Sequence, residues 1–214
     1  MPGARESLLR AADAALSARP WPAVRMIETA ATAGVSRQTL YNEFGDKEGL
    51  GRALVRRAAE GYLDGVDRVL APAGAGGPDP GPGEVAGRLA GLALWTVGAA
   101  RARPLVRALL TGCWDADLPV PPPPGSRQAL GPGELARAVR DRAAAALASE
   151  PPWRCELAVR LALSYVSAPE EEQGTGELLR LLGEGLGLGV GLGPAAGGGG
   201  GAGLSATSRT AGAR

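Results

Sequence analysis

The sequence predicts an all-α protein, and three observations support this fold class. Only 4% of the 214 residues are aromatic, so Leu, Val and Ala must form most of the core, and they suit contacts between helices better than β-sheets. Apolar residues recur at spacings of three and four in successive segments. Proline and glycine separate these segments. With 45% hydrophobic residues, the chain has room for one or two domains with a real core.

The first two predicted helices lie before Gly34. Apolar residues mark one face of the first helix: Leu8, Leu9, Ala12 and Leu16. Pro20 and Pro22 end it, because proline cannot continue a helix. The second helix runs from about residue 24 to 33, and Gly34 interrupts it.

Two further helices are predicted between Ser36 and Leu70. Ser36 is a good N-cap for a short third helix that ends near Phe44 and Gly45. Asp46 caps a fourth helix, which continues to about Leu70. The first 70 residues are therefore expected to form four helices with short connections.

The remaining chain divides by composition. Residues 72–83, PAGAGGPDPGPG, contain only Pro, Gly, Ala and one Asp, a composition typical of a linker. Five helices are predicted after it: 84–101, 104–114, 134–149, 153–168 and 176–187. The proline-rich residues 118–133 indicate a long exposed loop.

The predicted organisation has five parts. They are an N-terminal domain at 1–50, a connecting helix at 51–71, the linker at 72–83, a helical C-terminal domain at 84–192 and a glycine-rich tail at 193–214. The tail is expected to be disordered, because its glycines would lose too much chain entropy on ordering.

Composition excludes several kinds of chemistry. The chain has no histidine, and its two cysteines, Cys113 and Cys155, are far apart, so we expect no metal site, catalytic site or cofactor. No apolar run is long enough to span a membrane, and a reduced cytoplasmic location is expected. Residues 1–57 carry nine Arg or Lys and six Asp or Glu, a local excess of +3.

The segment LYNEFGDKEGL, residues 40–50, contains the only Asn, Phe and Lys of the chain: Asn42, Phe44 and Lys47. Together with the preceding residues it has the pattern of a helix-turn-helix motif. Gly34 allows the positive φ of the turn, and Val35 fills the angle between the helices. Leu40 and Phe44 lie four residues apart and are assigned to packing.

The other face of the third helix has the residue types that read DNA. Arg37 and Gln38 offer donors for base edges in the major groove. Further polar residues are candidates for contacts with bases or phosphates: Ser36, Thr39, Tyr41, Asn42 and Lys47. The alternatives are a solvated surface for Arg37 and Gln38, and an internally satisfied hydroxyl for Tyr41. For Lys47 the alternative is a surface ion pair with Glu43 or Asp46.

The stretch AGVSRQTLYNEFGDKEGL resembles the recognition segment of the TetR family of bacterial transcriptional regulators, most specifically over residues 24–57. The resemblance implies an N-terminal three-helix DNA-binding domain and a helical domain that binds a ligand and dimerises. It gives Tyr41 and Lys47 phosphate contacts, and Arg37, Gln38 and Thr39 the operator-facing positions. Two departures from the family pattern are Thr29, where an aliphatic residue is usual, and Glu43, near which histidine is common.

The C-terminal domain has fewer specific signals. A small-molecule cavity is predicted among six residues: Leu92, Trp95, Leu109, Cys113, Trp114 and Leu163. The alternative is that most of them are simply core. Arg107 and Arg160 are candidates for contact with an acidic effector, with surface ion pairing as the alternative.

A homodimer is expected to form through residues 153–187, since the last two helices of this family pack against their twins. Apolar stripes on these helices are the candidates: Leu157, Leu161, Tyr165, Leu178, Leu179, Leu182 and Leu186. The alternative is burial within one subunit.

The function expected from these residues is a sequence-specific regulator of transcription. It acts as a dimer on a palindromic site in double-stranded DNA, as a repressor that responds to an unidentified small molecule, without enzymatic activity or contact with a membrane. The alternatives are a helical enzyme or an interaction protein that retains a vestigial DNA-binding module.

Overall fold

The computed structural model describes residues 3–72, 81–121, 131–168 and 174–185. Within these ranges the chain forms helices without strands, which confirms the all-α prediction. The helices are α1 Ala4–Ala18, α2 Met26–Thr32, α3 Arg37–Phe44, α4 Lys47–Leu70, α5 Pro82–Ala102, α6 Pro104–Thr111, α7 Pro132–Ala146, α8 Pro152–Ser167 and α9 Gly174–Gly185. A 3-10 turn, Trp21–Ala23, connects α1 to α2.

Helices α1, α2 and α3 enclose a small core of their own. Its buried members are Leu8, Ala30 and Leu40, one from each helix. Val35 and Phe44 pack against this cluster from its edges. Because apolar burial is the main favourable term in packing helices, this cluster fixes the three helices relative to one another.

Helix α4 joins the N-terminal helices to the rest of the chain. It is 24 residues long and has buried residues from Leu50 to Leu70. These belong to the larger core, which also includes residues of α5, α6, α7, α8 and α9. The predicted boundary at residue 50 therefore falls within a continuous helix.

Hydrogen bonds reinforce the contact between α4 and α5. The hydroxyls of Tyr62 and Thr96 lie 3.0 Å apart, and the Trp95 indole N–H donates to the Tyr62 carbonyl at 3.1 Å. Burial raises the pKa of Tyr62 to about 12. The phenol therefore keeps its proton, and with it the buried hydrogen bond, to a more alkaline pH than an exposed tyrosine would.

A second connection joins the N-terminal helices to the chain that follows α6. The backbone N–H of Trp21 donates to the backbone carbonyl of Asp117 at 2.8 Å. Beside it, Gly51 of α4 lies so close to Pro119 and Trp21 that a Cβ at this position would be 3.0 Å from the Pro119 Cβ. The segment after α6 is thus packed against the 3-10 turn and the start of α4.

The observed helix bounds agree with the predicted ones within three residues, and the largest differences are at the C-terminal ends of α7, which stops at Ala146 instead of residue 149, and of α6. The prediction continued this helix to residue 114, but it ends at Thr111. Gly112 has φ 74° in the left-handed region and terminates the helix, as glycine commonly does. Cys113 and Trp114 therefore lie in the following loop.

Several predictions concern residues outside the described ranges. These are most of the linker (73–80), the centre of the proline-rich segment (122–130), Leu186, and the glycine-rich tail (193–214). For the residues that are described, no helix combines the length and the apolar character needed to cross a membrane.

Candidate nucleic-acid interface

The turn between α2 and α3 has the hydrogen bonds of a Schellman motif. The Gly34 N–H donates to the carbonyl of Ala31, and the Val35 N–H donates to the carbonyl of Ala30, both at 3.1 Å. Gly34 has φ 69°, a conformation that L side chains rarely adopt. Val35 then packs against the small core, which confirms the roles predicted for both residues.

Helix α3 begins at a side-chain cap. The Ser36 hydroxyl accepts the Thr39 N–H at 3.0 Å and lies 2.9 Å from the Thr39 hydroxyl. Leu40 points into the core and is completely buried, whereas Arg37 and Gln38 are exposed. The cap and the buried Leu40 together set which side of α3 faces outward.

The exposed face of α3 is polar and contains four of the predicted DNA-contacting residues: Arg37, Gln38, Tyr41 and Asn42. The side-chain amide of Gln38 donates from Nε2 to the side-chain oxygen Oδ1 of Asn42 at 2.8 Å. Tyr41 is 47% exposed, so the face is open to a macromolecule. Among the residues that the structure describes, nothing forms an ion pair with Arg37, which leaves its guanidinium donors available.

The corner between α3 and α4 is a tight backbone arrangement. Gly45 has φ 75° and ψ −62°, and the Asp46 N–H donates to the Phe44 carbonyl at 2.9 Å, which makes a γ-turn. The Asp46 side chain then caps α4 by accepting the Gly49 N–H at 2.6 Å. At Gly49, an added Cβ would lie only 1.9 Å from the Phe44 carbonyl oxygen. This corner therefore requires glycine at two positions.

Lys47 lies beside the 3-10 turn. Its ammonium donates to the Pro22 carbonyl at 2.9 Å and lies 5.4 Å from the centre of a Trp21 ring. In the part of the chain that the structure describes, Lys47 forms no ion pair with Glu43 or Asp46, the predicted alternative. Partial burial lowers the pKa of Lys47. An ammonium has three donors, so one hydrogen bond leaves two for a phosphate.

Glu43 is directed toward α1. Its carboxylate lies 3.4 Å from the Arg5 guanidinium, which also donates to the Glu43 backbone carbonyl at 3.2 Å. The same guanidinium lies 4.7 Å from the centre of the Phe44 ring. Arg5 thus compensates the negative charge of Glu43, although this exposed pair adds little to stability.

Thr29 stands where the family usually has an aliphatic residue, and its hydroxyl is hydrogen-bonded. It is 2% exposed, and its hydroxyl donates to the Arg25 carbonyl at 3.1 Å, one turn earlier. A buried threonine hydroxyl commonly bonds back to the preceding turn, so this substitution leaves no unpaired polar group in the core.

The six residues predicted to line a ligand cavity are not together. Cys113 and Trp114 line one cavity, described below, but the other four do not lie on its wall. Leu92 and Leu109 are buried in the core, and Leu163 packs against it. Trp95 packs between α4 and α5, where its N–H is bonded to Tyr62.

Sequence reasoning did not assign Trp21 or Arg5 to this site. Trp21 lies between two prolines, outside the predicted helices, and Arg5 lies 38 residues before Glu43. The flanking prolines, which hold a lone tryptophan outside any long helix, are the one local signal that singles out Trp21.

The geometry defines a helix-turn-helix protein whose short third helix exposes its polar face, and comparison with known proteins identifies the family. Residues 8–54 match the sequence profile described as bacterial regulatory proteins, tetR family. The chain is 34% identical over 170 residues to the HTH-type transcriptional regulator AlkX of Mycobacterium tuberculosis (strain ATCC 25618 / H37Rv). That alignment covers 78% of this chain and 76% of AlkX. The chain belongs to the TetR family and is a DNA-binding transcriptional regulator.

Solved structures agree with this fold. A TetR-family transcriptional regulator from Streptomyces coelicolor superimposes with a TM-score of 0.54 at 23% identity, over 88% of this chain and 82% of that one. The fatty acid degradation regulator FadR from Bacillus halodurans gives a TM-score of 0.51 at 13% identity, over 87% of this chain and 97% of that one. At these identities the similarity concerns the fold alone.

Proposed function

We propose that this regulator is a dimeric, effector-responsive repressor that places α3 in the major groove of a palindromic operator. The observation that supports this most is the division of α3 into a fully buried Leu40 and an exposed face with Arg37, Gln38, Tyr41 and Asn42. Forked and amide donors on one open face are the groups that distinguish base edges. Ser36 and Thr39 begin this helix and are proposed to approach the DNA with it.

Lys47 and Tyr41 are proposed to bind phosphates of the operator backbone. The carbonyl of Pro22 and the Trp21 ring restrict the Lys47 side chain, so less conformational entropy is lost when it binds a phosphate. Phosphate contacts position the helix and provide affinity, whereas base contacts provide the sequence preference.

Arg37→Ala and Lys47→Ala are expected to impair DNA binding in different ways. Arg37→Ala should relax the preference at one base position by about 1–3 kcal/mol. Lys47→Ala should weaken all sequences alike and reduce the slope of log K against log salt by about one. The measurement is selection from a random DNA pool, followed by titration of the selected site at several salt concentrations.

Arg137→Ala is the matched control for both variants, because this exposed arginine lies on α7, outside α3 and outside the helices α8 and α9. It should leave the operator and the salt slope unchanged. If the wild type enriches no palindromic site, the proposed function is wrong. If Arg37→Ala keeps full base preference, α3 does not read DNA through Arg37.

The proposed dimer surface is centred on α8. Trp153 and Leu157 are four residues apart on α8, and 53% and 36% of their surfaces are exposed. Leu178 and Leu182 of α9, which the sequence also offered for this contact, are buried within the subunit and are not part of the proposed surface. Exposed large apolar side chains at helical spacing suit contact with the same helix of a second copy.

Leu157→Arg is expected to convert the dimer to a monomer, because a guanidinium would be buried without a partner at the subunit contact. Light scattering after size-exclusion chromatography should show the mass of one chain in place of two. Ile27→Arg is the control, since Ile27 is 48% exposed on α2 in the DNA-binding part. A Leu157→Arg protein that remains dimeric would exclude this surface.

A further inference from the structure

A cavity of about 420 Å³ lies between α5, α6, α8 and residues 113–118. Its inner wall is apolar, with Val97, Ala108, Leu118 and Val166 all less than 9% exposed. The volume is within the range of small-molecule sites, about 300–1,000 Å³. The cavity can therefore enclose a compact apolar group.

The rim of this cavity carries two arginines, Arg101 and Arg107, both exposed. Over the described part of the chain, neither guanidinium has an ion pair or hydrogen bond. Of the residues that the structure describes, one carboxylate lines the wall, that of Asp115, which accepts the Asp117 backbone N–H at 3.0 Å. Two cations against one anion leave a net charge of +1. Arg160, the other arginine considered from the sequence, is paired with Glu156.

We infer that this cavity binds an organic anion with a compact apolar body, its carboxylate held by Arg101 and Arg107, and that residues 113–118 couple its occupancy to Trp21. This inference rests on the proposed function, because it names the chemical class of the effector. Guanidinium groups with free donors form short, charge-assisted hydrogen bonds to carboxylates.

A second cleft, of about 700 Å³, has the opposite character. Four acids and three arginines line it: Glu6, Asp13, Glu60, Asp64, Arg57, Arg68 and Arg103. Arg57 is already bound to Glu6 at 2.8 Å and lies 3.7 Å from Asp13. This cleft has a net charge of −1, and the charge of Arg57 is already compensated by Glu6 and Asp13. It does not suit an anion, so we assign the anion to the smaller cavity.

The wall of the smaller cavity is connected to the DNA-binding part. Trp114, Asp115 and Leu118 line the cavity, and Asp117 between them accepts the Trp21 N–H at 2.8 Å. Trp21 in turn lies against Lys47. A ligand that displaces this wall therefore acts on the turn that positions the proposed phosphate-binding lysine.

The first test is direct binding to the full chain without DNA, by calorimetry. Octanoate and 4-phenylbutyrate are compared with their primary amides and with amines of the same skeleton. The carboxylates should bind at least about tenfold more tightly than the amides, with the amines weaker still. Arg101→Gln and Arg107→Gln should each remove this preference, and the control Arg160→Gln should retain it.

Equal affinity for all three headgroups, a preference that survives both substitutions, or no binding by either carboxylate would each overturn the anion assignment. Because DNA is absent, a protein that recognises no operator still gives this result. Conversely, loss of the carboxylate preference leaves the operator selection intact, so the two proposals fail separately.

The second test uses the Trp21 amide. Pro20 and Pro22 have no N–H, so this amide is the only exchangeable backbone hydrogen in residues 20–22. Octanoate at a concentration that just saturates the wild type should change the hydrogen-exchange rate of this amide several-fold, and the same concentration should have a smaller effect in Arg107→Gln, which binds octanoate more weakly. An unchanged rate in the wild type with octanoate bound would overturn the coupling.

Discussion

Gly49→Ala is expected to abolish specific operator recognition, whereas Gly61→Ala in the same helix is expected to preserve it. The new Cβ at residue 49 would lie 1.9 Å from the Phe44 carbonyl oxygen. This oxygen cannot easily move away, since it accepts the Asp46 N–H in the γ-turn that ends α3. The corner must therefore open, which reorients the exposed face of α3 relative to α4.

The expected size of this effect is large because base recognition requires accurate placement of the reading helix. Specific affinity should fall by a factor of about 100 or more, toward the level of non-specific binding. The measurement is titration of the selected operator and of a scrambled duplex with each variant. The ratio of the two affinities reports recognition separately from general attraction to phosphate.

Gly61→Ala is a matched control, because the nearest atom to an added Cβ there is an Arg103 nitrogen at 3.8 Å. Alanine favours the helix by about 0.5–1 kcal/mol over glycine, so this variant should be slightly more stable and still bind DNA. If Gly49→Ala binds the operator as tightly as Gly61→Ala, the corner does not determine the orientation of α3.

Leu40→Ala is expected to lower the free energy of unfolding by about 2–5 kcal/mol, the range for a buried leucine that leaves a cavity. Leu40 is completely buried and contacts a core that has only two other fully enclosed members, Leu8 and Ala30. So small a cluster has few side chains that can move to fill the space. The measurement is urea unfolding followed by circular dichroism.

Leu94→Ala provides the comparison, since Leu94 lies on α5 and is 37% exposed. The Leu94→Ala substitution should lower the free energy of unfolding by less than about 1 kcal/mol, as is usual for surface substitutions. DNA binding by Leu40→Ala should weaken even though the side chain faces away from DNA. A cost below 1 kcal/mol for Leu40→Ala would mean that other contacts hold α3 in place.

Much of the N-terminal part could be predicted from the sequence because its signals are local. Ser36 caps the helix that follows it, Gly34 adopts the expected turn, and Asp46 caps α4. Each of these depends on hydrogen bonds that span only a few residues. The clash that excludes a side chain at Gly49 is also local, but it arises from the γ-turn, which the sequence pattern does not specify.

The cavity was harder to predict for two physical reasons. Many leucines and alanines recur on several faces of the C-terminal helices, so their spacing does not show which ones border a space and which fill the core. In addition, α6 ends three residues before the predicted end, so residues 113–118 form part of the wall as a loop, and helical spacing cannot place the residues of a loop. The Arg5 contact with Glu43 joins distant parts of the chain and has no local signal.

Because the sequence contains no other lysine, Lys47 offers a way to follow this protein in solution. It is the only lysine among 214 residues, and partial burial lowers its pKa, so a larger fraction is the reactive free amine at mildly alkaline pH. An amine-directed fluorophore therefore attaches at one side chain besides the chain's α-amino group. Its emission would report on the space between the 3-10 turn and the fourth helix without any engineered cysteine.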